Sequence, residues 1–183
     1  EVSVAATKTF VAQVAAMYLL ALRMAELRGA LPPARIAELV AEIKRIPHCV
    51  DELLTTRTEE IERIAERHFS ANFFLYLGRH NSLPVCLEGA LKLKEISYIS
   101  TDAYAAGEMK HGPIALLSEK TPVVVVATES PVLEKVVSNM QEVRARGAHV
   151  IAVATEGDVT IGEHAEEVLH VPATDWILQP LLA

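Results

Sequence analysis

Three short apolar runs restrict this chain more than any other feature. FFLYLG (73–78), VVVVAT (123–128) and VIAVAT (150–155) are too short for helices and are built mostly from β-branched or aromatic residues. None alternates polar with apolar, so each reads as a strand buried on both faces, as in a parallel sheet roofed by helices. EEVLHVP (166–172) is a weaker fourth strand and DAYA (102–105) a short fifth. Helical stretches at 84–98 and 131–146 lie between the main runs, with Pro131 suited to a first turn and Gly147 to a stop. This strand–helix–strand alternation predicts an α/β fold, a parallel sheet with helices on both faces.

A helical lead-in precedes the strands. TKTFVAQVAAMYLLALRMAELRG spaces Phe10, Val14, Met17, Leu20 and Met24 at helical intervals, with Thr7 or Thr9 as cap and Gly29 as stop. Pro32 and Pro33 open a second predicted helix, Ala34 to Ile46, and a third runs from about Asp51 to His68. The chain starts at Glu1 without Met and stops in the apolar DWILQPLLA, so it is expected to be a piece of a longer polypeptide.

A net charge of −7 argues against a nucleic-acid surface while leaving room for a local basic pocket. No stretch is expected to span a bilayer, because Arg23, Glu26 and Arg28 end the best candidate, Val11 to Leu22. Cys49 and Cys86 have no metal-ligand spacing, and a reduced cytoplasmic setting is the simplest expectation. His48, His68, His80, His149, His164 and His170 are scattered along the chain, so no metal site is expected.

Two stretches carry chemistry. In CLEGALKLKEISYI (86–99), Glu88, Lys92 and Glu95 fall at i, i+4 and i+7 on one helix face, with Leu87, Leu91 and Tyr98 forming a second stripe suited to packing on the sheet. Spacing alone fits a solvated ion-paired face. Position adds weight to a reaction centre, since ligands of open parallel sheets sit beyond the strand carboxyl ends and this helix follows directly from FFLYLG. A lysine between two carboxylates there could keep one glutamate ionised, ready to take a carbon-bound proton. In AYAAGEMKHGPIAL (103–116), Gly107, Gly112 and Pro113 make an irregular segment that presents His111, either as an exposed loop histidine or as a group that gives and accepts protons.

These two motifs, with VAATKTF near the start and VVVVATES, closely resemble the isomerase part of the glutamine–fructose-6-phosphate aminotransferase family, across essentially all 183 residues. The resemblance implies a helical tail of one sugar isomerase (SIS) domain plus linker helices over 1–47, a second SIS domain over 48–175 and the start of a further segment over 176–183. It implies that Glu95 shuttles a proton between C1 and C2 of aminated fructose 6-phosphate, and that His111, acting across a homodimer interface, assists ring opening. Lys92 and Glu88 would line the same site, the backbone at Val4 and Ala6 would touch the sugar, and no cofactor is implied. Ala6 stands where relatives carry Ser. A lone piece lacking the phosphate loop and the imine-forming lysine is expected to be inactive. The alternatives are another SIS-domain phosphosugar isomerase or deglycase, or a module that senses a phosphosugar without transforming it.

Overall fold

The computed structural model describes residues 5–183. Two long helices come first, α1 (Thr7–Arg28) and α2 (Pro33–His68), followed by β1 (Phe73–Gly78), α3 (Ser82–Ser97) and β2 (Ser100–Ala105). After two short 3-10 turns come β3 (Pro122–Ala127), α4 (Leu133–Arg144), β4 (His149–Thr155) and β5 (Glu167–Val171). The five strands form one sheet in the order β2-β1-β3-β4-β5, and every neighbouring pair is parallel. All five predicted strands are present, and the fold is α/β with helices on both faces.

Because successive strand residues point to opposite faces, the apolar runs feed two separate layers. Leu75, Leu77, Val123, Val125, Val150 and Ala152 face α4, where Val136, Met140 and Val143 complete a core in which each of these residues is essentially inaccessible. Tyr76, Val124, Ile151 and Val153 face the other way, toward α2 and α3. Alternation is invisible in the sequence because both faces need apolar side chains.

Three expectations are corrected. The predicted second and third helices are one, since α2 runs through Pro47 without a break. Proline removes one helical donor, but Ile46 and Cys49 on the same stretch pack with Leu178, Leu181 and Leu182, and that packing holds the helix together. Pro131 lies ahead of α4 rather than in its first turn. Finally, α1 is long and apolar enough to cross a bilayer by length and composition. One side of it, Val14, Ala15, Tyr18 and Leu22, packs on α2 and the C-terminal segment, and the Tyr18 hydroxyl donates to the Ile177 carbonyl at 2.5 Å. The other side leaves Met17, Leu20, Met24 and Leu27 exposed.

Candidate functional site

Helix α3 is seated by small residues. Ser82, Cys86 and Ala90 are buried at four-residue spacing, and a Cβ on Gly89 would lie 3.0 Å from the Tyr76 ring of β1. The Thr101 hydroxyl on β2 donates to the Ala90 carbonyl at 2.6 Å. The stripe expected to face the sheet is therefore the wrong one: Leu87, Leu91 and Tyr98 are exposed. Bulky side chains at those positions could not approach the sheet as closely as the Ser82–Cys86–Gly89–Ala90 strip does, and so the strip decides which way the helix faces. The close seat has a chemical by-product, since burial pushes the Cys86 thiol up to about 12 and leaves it inert.

With the helix turned this way, Glu88, Lys92 and Glu95 come together. The Lys92 ammonium lies 2.6 Å from Glu95 Oε2 and 3.4 Å from Glu88 Oε1. The hydrogen bond to Glu95 is the main reason that the ammonium is held above its ordinary value, with Glu88 adding to it. Lys92 is thus a fixed positive charge set between the two carboxylates. Their placement differs from the sequence argument. Helix α3 starts at the carboxyl end of β1 and runs back along the sheet, so Glu95 lies about 20 Å of helical rise from Ser82. The trio belongs to the outer flank of α3 instead of the carboxyl edge of the strands. At that edge stands the Arg79–Asn81 loop, where Asn81 Nδ2 donates to the Trp176 carbonyl at 2.8 Å.

His111 ends the 3-10 turn after β2. Met109, fully buried, plugs this segment into the core, and Lys110 reaches Glu142 of α4 at 2.8 Å. These two anchors turn His111 outward, with 74% of its side chain exposed and Glu108 3.9 Å away. Gly112 follows at φ 146°, a backbone conformation that L side chains rarely adopt. The structure does not join His111 to the α3 trio by any ion pair or hydrogen bond. Ala6 occupies the N-cap of α1, and Val4 lies outside the described residues.

One cluster escaped the sequence reading. His68 at the end of α2 and His149 at the start of β4 converge on Glu167 at the start of β5, their Nε2 atoms 2.6 and 2.9 Å from Oε2. Arg67 donates to the other oxygen at 2.5 Å. Only the parallel register, which aligns the amino ends of β4 and β5, brings these distant positions together, so linear spacing carried no signal. Burial pushes the Glu167 carboxyl up, but the hydrogen bonds from the two histidines, with the nearby charges, more than offset this and hold it below the ordinary 4.5. A carboxylate with a lowered folded value stabilises the fold above pH 4.5 and loses that contribution as the pH falls through the lower value. The urea midpoint is expected to drop as pH is lowered below 4.5, and to drop less steeply in Glu167→Gln. Parallel pH profiles for the two proteins would remove Glu167 as the source.

The five-stranded parallel sheet with helices on both faces defines the class, and residues 69–182 match the SIS domain family. The chain belongs to that family. Over all 183 residues it is 51% identical to the glutamine–fructose-6-phosphate aminotransferase [isomerizing] of Thermus thermophilus and 49% identical to that of Methanosarcina mazei. It spans 30% and 29% of the lengths of those two relatives. Among solved structures, the C-terminal domain of glucosamine-fructose-6-phosphate aminotransferase from Francisella tularensis superposes with a TM-score of 0.89 at 36% identity, covering 96% of this chain and 49% of that one. Glucosamine-6-phosphate deaminase from Thermotoga maritima superposes at 0.60 and 27% identity, covering 80% of this chain and 41% of that one.

Proposed function

We propose that this chain is the isomerase portion of a glutamine–fructose-6-phosphate aminotransferase, acting on the sugar phosphate after ammonia has replaced the C2 carbonyl oxygen. The observation that carries the reading is the Glu88–Lys92–Glu95 arrangement, a base held beside a fixed cation. In the proposed step the Glu95 carboxylate takes the proton from C1, the C–H electron pair forms a C1–C2 double bond, and the C2–N π pair moves onto nitrogen, which gains a proton. The O1 hydroxyl then loses its proton as the C1–O double bond forms, and the C1–C2 pair takes the proton back from Glu95 at C2, leaving an aldose with an amino group at C2. Lys92 holds the Glu95 carboxylate in position by its hydrogen bond, and Glu88 steadies the ammonium.

His111 faces solvent, apart from the trio, which supports its donation to the site of a second copy in a homodimer, where it would assist ring opening. The backbone at Val4 and Ala6 would complete the sugar contacts. The same reading carries a cytoplasmic setting and no nucleic-acid or membrane partner. A sensing module or a deglycase shares the fold. Sensing, however, gives no use for a glutamate held beside a lysine as a proton shuttle.

The test replaces the matching 183 residues of the Thermus thermophilus relative with this chain. The chimera is expected to form glucosamine 6-phosphate from fructose 6-phosphate and ammonia, while the 183-residue chain by itself is expected to show no turnover. A folded chimera that binds fructose 6-phosphate without converting it would support the sensing alternative.

A further inference from the structure

We propose that His68, His149 and Glu167 bind one divalent transition-metal ion of the zinc class, which ties the end of α2 to the amino ends of β4 and β5. The site is separate from the Glu88–Lys92–Glu95 trio and does not depend on the aminotransferase reading.

Three elements each present one donor atom, and the three atoms lie within 4.8 Å of one another. The two nitrogens face the same carboxylate oxygen at 2.6 and 2.9 Å. Tetrahedral zinc, with bonds of about 2.0–2.1 Å, holds its ligand atoms roughly 3.3 Å apart. Each nitrogen therefore needs to draw back from Oε2 by less than about an ångström, and the two nitrogens, within 4.8 Å of each other, to settle at the same spacing, adjustments that imidazole and carboxylate rotamers can make. Two imidazole nitrogens and one carboxylate oxygen form a set that favours zinc, cobalt or nickel over magnesium or calcium.

The surroundings suit a bound cation. The Glu167 side chain is only 7% exposed, so its carboxylate oxygen is held in a fixed place between the two imidazoles. Arg67 occupies the other carboxylate oxygen and leaves Oε2 for the metal, an outer contact that orients a ligand. The His68 ring is fixed edge-on against Phe74, with ring centroids 6.4 Å apart. His68 and His149 also line a cavity of about 260 Å³ together with Ser70, Glu119 and Lys120. That cavity gives a path of entry and room for a water as the fourth ligand. Lys120 and Arg67 oppose a cation there, and Glu119 offsets part of their charge.

The experiment uses the untagged 183-residue chain, titrated with zinc and with cobalt. Saturable binding of one ion per chain is expected with a dissociation constant of about 10 μM or tighter, and cobalt should develop visible absorption of a four-coordinate nitrogen–oxygen site. In the unaltered chain, zinc should shift the side-chain nitrogen resonances of His68 and His149 and leave the other five histidines unmoved. His149→Asn and Glu167→Gln should each weaken zinc binding at least about 100-fold. Absence of saturable binding, or zinc shifts confined to other histidines, would overturn the site. This readout needs no variant, so it stands even if the substitutions impair folding. Zinc binding undiminished in a folded His68→Asn, His149→Asn double variant would overturn it equally.

Discussion

Replacing Glu95 with Gln in the chimeric aminotransferase is expected to lower kcat by about 10²–10⁴-fold, the usual worth of a positioned general base, while changing fructose 6-phosphate affinity by less than about threefold. Gln keeps the length and shape of the side chain, and its amide oxygen can still accept the 2.6 Å hydrogen bond from Lys92. Only the capacity to take a proton is lost. The side chain lies on the outer flank of α3, away from both core layers, so the fold has little reason to respond. Unchanged turnover would remove Glu95 from the reaction. Loss of affinity equal to loss of turnover would make it a binding group instead.

A second large effect is expected at Gly78, for stability rather than chemistry. A Cβ there would sit 2.6 Å from the Ser82 carbonyl oxygen and 2.8 Å from the Leu83 Cα. Both belong to the first turn of α3, and backbone cannot swing aside as a side chain does. Gly78→Ala is therefore expected to cost about 2–3 kcal/mol in urea unfolding, through overpacking where β1 hands over to α3. Gly162, where an added Cβ meets nothing within 4 Å, supplies the control, and Gly162→Ala should change stability by less than about 0.5 kcal/mol. An unmoved midpoint in Gly78→Ala would mean that the helix start yields freely. In that case the seat of α3, and with it the trio, is softer than the contacts imply.

The strands were legible because Val123–Val126 and its counterparts must be apolar on both faces, and few other structures require that. The helix-face spacing of Glu88, Lys92 and Glu95 was also legible, since 3.6 residues per turn is enough to group them. Which side of α3 meets the sheet was not. Hydrophobicity pointed to Leu87 and Leu91, whereas steric closeness selected Cys86, Gly89 and Ala90. Nor could local signals carry the helix through Pro47, because the compensation comes from residues 178–182, far along the chain. The outward turn of His111 depends on Met109 being buried, and the meeting of His68, His149 and Glu167 depends on strand register. Both are properties of the assembled sheet.

The all-parallel strand order also sets the tempo at which the molecule can form. Among the described residues no hairpin exists from which the sheet could zip, and the β1–β2 pairing Phe73↔Ser100 has the whole of α3 inside its loop. The β1–β3 ladder encloses more still. During synthesis β1 emerges before either of its partners, although it is the strand that both of them flank. Six residues, nearly all apolar, therefore lack β2 until roughly 27 more are added and β3 until roughly 50, a wait of seconds at about 5–20 residues per second. Protection of that nascent strand, by α2 folding early against it or by a chaperone, becomes a requirement of the architecture itself.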